Sequence, residues 1–386
     1  MSHIFLDVSR LLTRFYDNLH PTGVDRVGLA YVQHYAERAR AVLSLAGRSV
    51  ICTEKCSQSI FTLLLSAQHD RNLIRKRLLD GIAKAFLQSE RIGGGFLLHT
   101  SHNGMEFQHY YNAMRGRSIR PVFMVHDLIP LTHAEYCRPG VDATHRRRIR
   151  TALNHAVGLI GNSQATLDDL AREAQKAGIP LPPTVVAHLA SGVTVRARSS
   201  APLGEPYFLL LGTIEPRKNH WFMLHLWRRM VETLGAATPK LVIVGRRGWE
   251  CENVVDMLER CDVLRTHVIE RADCNDAELH GWMQHACALL FPSFVEGYGM
   301  PLVEALAAGT PVLASNLGVF REIAGDIPDY MDPLDGPAWI ARIVDYMQVD
   351  SAAREAQLSR LRHFKEPTWT EHFARIDAFL DSLGRS

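Results

Sequence analysis

The chain has 386 residues, of which 47% are hydrophobic and 22% charged, with a formal net charge of +2. That length exceeds what one compact domain ordinarily takes and suits two, and the balance is that of a globular chain, not a disordered one. A charge so close to neutral excludes the broad basic footprint of a nucleic-acid binder, so any anion must be held by local groups.

Short apolar runs alternate with longer amphipathic segments along most of the sequence. In the first half, strands are predicted near Ile4–Val8, Ala41–Leu45, Phe96–His99, Val122–His126, Val157–Asn162 and Thr184–Ala187. The second half supplies Tyr207–Leu211, Leu241–Gly245, His267–Ile269, Ala288–Phe291 and Val312–Ala314. Apolar runs of this length at helical separation indicate buried parallel strands with crossover helices. Arg196–Pro206, rich in Arg, Ala, Ser, Pro and Gly, reads as a linker, and Trp369, Phe373, Ile376, Phe379 and Leu380 predict an amphipathic closing helix. The expected division is 1–198, 199–366 and a closing helix over 367–386. Ligands of open α/β sheets collect beyond the carboxyl ends of strands, so the loops there deserve the closest reading.

Pro21-Thr22-Gly23-Val24-Asp25-Arg26-Val27 joins the first strand to a helix. Gly23 could let a phosphate approach backbone amides, or serve only as a turn glycine. His126-Asp127-Leu128-Ile129-Pro130 ends a strand; alone, such a histidine is more often structural than chemical. Ser163, after the Val157–Asn162 run, reads as a helix cap.

After Tyr207–Leu211 comes Gly212-Thr213-Ile214-Glu215-Pro216-Arg217-Lys218-Asn219. Adjacent cations at a strand end could stabilise a departing diphosphate in place of a metal ion, or form a solvated basic turn. The run from Phe291 then holds Glu296-Gly297-Tyr298-Gly299-Met300-Pro301 and, after Leu302 and Val303, Glu304. Pro301 reads as the first residue of a helix. The glycines could bring a phosphate to that helix's N-terminus, and Glu304 could accept hydrogen bonds from a ribose diol. A tight turn capped by glutamate fits the same spacing, and Leu302 stands where a dinucleotide fingerprint needs its third glycine, which weighs against an oxidoreductase.

Two glutamates enclosing seven residues, with Gly-Tyr-Gly-Met-Pro between them and Ala308-Gly309-Thr310-Pro311-Val312 following, resemble the signature of family-4 retaining glycosyltransferases. The resemblance implies a GT-B fold: two Rossmann-like domains facing across a cleft, with a C-terminal helix crossing back to the first. It implies that Glu296 meets the donor sugar, Glu304 the ribose, and the Gly297–Pro301 backbone, Arg217 and Lys218 the diphosphate, with Gly212 opening the second half of the donor site. The Thr-Gly-x-x-Arg-Val run at Gly23 and the His-Asp-Leu-Ile-Pro run are similar to those of bacterial polysaccharide glycosyltransferases, which implies that His126 touches the transferred sugar. The family is thought to work by front-face attack, a donor phosphate oxygen taking the acceptor proton.

The expected reaction moves a hexose, with mannose from GDP-mannose as first choice and a UDP-hexose as second, to a glycan or lipid-linked acceptor in surface polysaccharide synthesis. A nucleotide-sugar epimerase and a non-catalytic nucleotide-sugar binder are the rivals. No cofactor and no metal are expected, since no Asp-x-Asp occurs, and His99, His102 and His109 lack a carboxylate at ligand spacing. Seven scattered cysteines without a Cys-x-x-Cys suit reduced thiols in the cytoplasm. No secretory signal and no run of roughly 18 apolar residues is seen. The basic stretches Arg71–Leu79 and His145–Arg148 read first as solvated faces, with peripheral contact to anionic lipid as the alternative.

Overall fold

A computed structural model describes residues 3–17, 19, 21–66, 93–192 and 200–385. The basic stretch 71–79 and the first part of the expected linker lie outside them; 200–206 forms no helix or strand. The chain divides into two compact units. The first comprises Met1–Thr132, Gly140–Leu189 and Thr368–Ser386, the second His133–Pro139 and Ala190–Pro367.

In the first unit the strands are β1 (Ile4–Asp7), β2 (Ala39–Leu45), β3 (Arg48–Ile51), β4 (Gly95–His99), β5 (Ile119–Val125), β6 (Gly158–Gly161) and β7 (Thr184–Val186), in the order β3-β2-β1-β4-β5-β6-β7. All pairings are parallel except β2–β3. The sheet is therefore doubly wound about β1 and β4, as in a Rossmann-like domain. β3 is absent from the sequence reading. It is a hairpin partner turned by Ala46 and Gly47, at φ 47° and 78°, and Ala-Gly lacks the Asn or Asp that usually signals such a turn. The helices are α1 (Ser9–Tyr16), α2 (Gly23–Tyr35), α3 (Glu54–Leu65), α4 (Gln108–Arg115), α5 (Ile129–Thr132), α6 (Val141–His155) and α7 (Gln164–Ala177). Ser163 caps α7, its Oγ accepting from Thr166 N at 3.1 Å.

The second unit holds β8 (Tyr207–Leu211), β9 (Lys240–Val244), β10 (Val268–Arg271), β11 (Leu289–Phe291), β12 (Val312–Ser315) and β13 (Asp329–Met331), all parallel, in the order β10-β9-β8-β11-β12-β13. The winding reverses between β8 and β11, which opens a crevice at their carboxyl ends. β13, too polar to stand out as an apolar run, also escapes the sequence reading. Around the sheet lie α8 (His220–Leu234), α9 (Glu252–Arg260), α10 (Asp276–His285), α11 (Met300–Ala307), α12 (Gly318–Ala324), α13 (Gly336–Tyr346) and α14 (Ala352–Leu361). Its core packs Trp227 and Trp339 with Phe208, Leu241, Ile243, Leu290 and Leu313.

The closing helix α15 (Trp369–Arg385) returns to the first unit. It buries Phe373, Ile376, Leu380 and Leu383, the face its periodicity predicts, while Trp369 and Phe379 are half-buried. A methyl group on Gly158 of β6 would lie 2.6 Å from Leu383 and 2.8 Å from the Phe379 ring, so the helix sits against bare backbone. Asp377 accepts from Tyr35 Oη at 2.8 Å and from Arg38 at 2.9 Å. The His372 ring bridges His188 O and Tyr31 Oη, both at 3.0 Å.

Burial pushes the His372 imidazole down to about 4, against the pull of the His188 and Ala187 backbone. An unfolded histidine takes its proton near 6.5, so between that pH and about 4 the unfolded chain binds the extra proton and stability falls with pH. The first unit is expected to lose about 1.4 kcal/mol per pH unit there from this group. Thermal unfolding from pH 7 to 4 should show that slope, reduced by one proton in His372→Gln.

Candidate functional site

The crevice of the second unit is lined by the loop after β8 and the loop after β11. β8 runs into Gly212, held at φ 137°, and then into a short 3-10 turn over Pro216–Lys218 that ends at Asn219 in the left-handed region, φ 60°. Asn219 tolerates that conformation better than most residues. Its Nδ2 donates to Pro292 O at 3.2 Å and to Pro333 O at 2.9 Å. The turn is thereby fastened to the neighbouring loops before α8 begins.

The two loops are also tied directly. Phe294 N donates to Arg217 O at 2.9 Å, and Arg217 Nη1 donates to Val295 O at 3.2 Å. These bonds bring together side chains 78 residues apart. Lys218 Nζ lies 2.6 Å from Glu296 Oε1 and Arg217 Nη1 2.7 Å from Glu296 Oε2. Arg217 Nη2 reaches Glu215 Oε1 at 2.7 Å, and Ser293 Oγ donates to Glu296 Oε1 at 2.8 Å. The Glu296 side chain is only 7% exposed and that of Lys218 9%.

Burial alone would raise the Glu296 carboxyl, but Arg217 and Lys218, helped by the Ser293 hydroxyl, outweigh it and hold the group at about 2. Burial lowers the Lys218 ammonium, against the attraction of Glu296 and with the repulsion of Arg217. Two cations and two carboxylates, Glu215 and Glu296, thus form a cluster whose charges cancel. An incoming polyanion can use the cations fully only where Glu296 lets go of them.

Beyond Glu296 the chain turns through Gly297, Tyr298 and Gly299 into α11. Gly299 is the helix cap, at φ 107°, and a methyl group on it would lie 2.9 Å from the Phe320 ring. Met300 is the first helical residue, so Pro301 occupies the second position and not the first. Pro301 still supplies no N–H where none is needed, and the N-terminus of α11 faces the crevice loop with its positive dipole end. Tyr298 and Glu304 are buried, at 4% and 7% exposure.

The loop after β9 is a support the sequence reading missed. Ile214 N donates to Arg246 O at 3.0 Å and Gly248 N to Ile214 O at 3.0 Å. A methyl group on Gly245 would sit 2.0 Å from Gly212 O, and one on Gly248 2.6 Å from Ile214 O. Only glycine lets the two backbones touch. Gly245→Ala is expected to destabilise by roughly 1–3 kcal/mol, as overpacking does, by displacing Gly212. Thermal unfolding of the variant beside the native chain would measure the loss. The available signal was a Gly-x-x-Gly directly after a predicted strand.

In the first unit, the other named residues occupy separate places. Gly23 is the first residue of α2, whose N-terminus is already capped by Asp25: Thr22 N donates to Asp25 Oδ2 at 2.7 Å, and Arg10 and Arg14 pair with the same carboxylate at 2.8 and 2.6 Å. His126 is buried just beyond β5. Its Nε2 meets Thr100 O at 2.8 Å, which can only accept, so Nε2 carries the proton. Burial lowers its pKa against that bond and Asp127. The ring is therefore neutral at pH 7 and offers Nδ1 as an acceptor. His102 accepts from His126 N at 3.1 Å and stacks edge-on with His145, 4.8 Å between ring centres. His99 bonds Tyr111 Oη and Asn103 O, while His109 bonds Ala46 O. His99, His102 and His109 thus point to different partners. Among the described residues no helix is long and apolar enough to cross a membrane.

Residues 194–327 match the family model described as glycosyl transferases group 1. The serotype-specific mannosyltransferase WbdA of Escherichia coli is 27% identical over 266 residues, covering 64% of this chain and 32% of WbdA. O-antigen chain mannosyltransferase B of Escherichia coli is 32% identical over 163 residues, 42% of either chain. The chain therefore spans about a third of WbdA's length and less than half of the second relative. Among solved structures, Anabaena Alr3699/HepE in complex with UDP and glucose aligns at a TM-score of 0.64 with 15% identity, covering 99% of this chain and all of the other. Sucrose-phosphate synthase from Thermosynechococcus elongatus aligns at 0.64 with 14% identity, covering 99% of each chain. At such identities the likeness concerns the fold, and the fold is GT-B.

Proposed function

For a chain that carries the group 1 glycosyl transferase domain over residues 194–327 and has the GT-B fold, we propose that it transfers a hexose from a nucleoside-diphosphate sugar, first of all mannose from GDP-mannose, to a glycan or lipid-linked acceptor with retention of anomeric configuration. The observation that carries this reading is the meeting of Arg217, Lys218 and Glu296 beside the N-terminus of α11. In the transfer, the bond between the sugar's anomeric carbon and the diphosphate breaks, and a bond from that carbon to an acceptor oxygen forms. The acceptor's proton passes to an oxygen of the departing diphosphate. Charge grows on the diphosphate as it leaves, which is where fixed cations and a helix N-terminus stabilise most. Glu296, released from the cations, is free to accept hydrogen bonds from sugar hydroxyls, and Glu304 from the ribose. His126, neutral and presenting Nδ1, suits accepting a hydroxyl hydrogen bond, not withdrawing a proton. Mannose is favoured because both Escherichia coli relatives are named mannosyltransferases.

Thermal unfolding with GDP, UDP, ADP and dTDP, each with and without EDTA, is the first test. A nucleotide at 100 times its dissociation constant should add about 2.7 kcal/mol, and GDP is expected to do so in EDTA. Incubation with GDP-mannose and an acceptor should then release GDP and give an α-linked product by NMR. A shift from UDP alone would move the donor to a UDP-hexose, and no shift from any nucleotide would overturn the donor site.

A further inference from the structure

The loop that carries Glu296 has no secondary structure of its own from Pro292 to Tyr298. Its position depends on what holds it, and one such contact lies outside the donor motifs. The seven residues His133–Pro139 belong to the second unit, although the chain on either side belongs to the first. Within that segment the His133 and Tyr136 rings stack, 6.1 Å apart and 11° from parallel. Tyr136 in turn stacks on Phe294, 5.4 Å apart and 7° from parallel. Trp249 Nε1 donates to Tyr136 O at 3.2 Å, and the Arg138 guanidinium lies 5.9 Å over the Trp249 ring.

Each end of this arrangement is anchored to the donor loops. Trp249 follows Gly248, whose backbone is pressed on Ile214. Phe294 follows Ser293, the hydroxyl donor to Glu296, and precedes Val295, the carbonyl acceptor of Arg217. The stack therefore bears on the middle of the Ser293–Glu296 run. Resting on the transferase reading above, we propose that Tyr136 and Trp249 are positioning residues that act through Phe294 to set the Glu296 carboxylate. Neither residue belongs to the Gly212–Asn219 or Glu296–Glu304 motifs. An aromatic pair of this kind is attractive beyond the area it buries, which ties the position of Phe294, and with it the Ser293–Glu296 run, to the Tyr136 segment. Misplacement of a reacting group by about 1 Å can cost on the order of 100-fold in rate.

The test is a double-mutant cycle on the full chain, Tyr136→Ala with Glu296→Gln, read by kcat, KM and nucleoside-diphosphate affinity. Tyr136→Ala alone should lower kcat about 10- to 100-fold and change KM for the donor little, while Tyr136→Phe, which keeps the ring, should restore kcat to within about twofold. In the Glu296→Gln background, Tyr136→Ala should add almost nothing. Equal losses in both backgrounds, or a Tyr136→Ala enzyme with wild-type kcat and only a lowered Tm, would overturn the proposal. Should no sugar nucleotide be turned over at all, the transferase reading fails on its own. The cycle is then read from nucleoside-diphosphate affinity: a shift caused by Tyr136→Ala that vanishes with Glu296→Gln sustains the positioning role, and one that persists sinks it.

Discussion

Glu296→Gln is expected to bind nucleoside diphosphate more tightly than the native chain while turning over roughly 100- to 1000-fold more slowly, the range seen when one preorganised electrostatic group is removed. The two effects have one origin. Glu296 holds Lys218 at 2.6 Å and Arg217 at 2.7 Å, so a diphosphate must displace a carboxylate that already satisfies the cations. Glutamine keeps the shape and loses the charge, leaving both cations with unspent attraction for phosphate. It also loses the carboxylate that would hold the sugar as the glycosidic bond breaks. Calorimetric titration of nucleoside diphosphate beside steady-state kinetics separates ground-state from transition-state binding. Weaker diphosphate binding in the variant would show that Glu296 does not compete for the cations.

Removing both cations is expected to do the larger damage. In Arg217→Ala/Lys218→Ala, kcat/KM should fall at least about 1000-fold, each cation being of the kind that alone supplies two to three decades. The two losses share one partner and will not simply add. Stability should fall too, by about 3–5 kcal/mol, because a buried carboxylate is left without a counter-ion. The pH dependence distinguishes this from a general loss of packing. In the native chain Glu296 sits at about 2, below an unfolded carboxyl, so its contribution is complete above the ordinary carboxyl range and is lost as pH falls toward 2. Without the cations, burial pushes the same carboxyl up. The folded variant then binds a proton that the unfolded chain releases, and its stability falls as pH rises through the ordinary carboxyl range. The Tm gap between variant and native chain should therefore narrow from pH 7 to pH 4. A third change, Glu296→Gln, should recover Tm without recovering turnover. A gap of constant size would mean that the loss is one of packing.

How far the sequence carried these conclusions depended on whether the relevant physics is local. Parallel strands buried on both faces need continuous apolar runs, so Tyr207–Leu211 or Ile4–Val8 stand out at once. β3, with its Ala-Gly turn, and β13, with only Asp-Tyr-Met, do not. The amphipathic face of α15 was legible because a helix repeats its neighbours every turn. In the crevice, the glycines and the paired glutamates were visible as spacing. The ion cluster was not, since Arg217 and Glu296 come from different strand ends and only the β8–β11 adjacency brings them together. The parts played by Gly245 and Tyr136 were hidden for the same reason. What makes Gly245 matter is the carbonyl of Gly212, and what makes Tyr136 matter is Phe294.

The return of α15 to the first unit bears on how this protein must be made. The strand at Ile4 is translated before the second unit, and the helix that packs on Gly158 and pairs with Tyr35 and Arg38 only after it. At about 5–20 residues per second, the first sheet spends tens of seconds with one apolar flank uncovered while the entire second unit is translated. The first unit's final closure therefore waits on the synthesis of the second, whereas domains usually mature from the N-terminus onward.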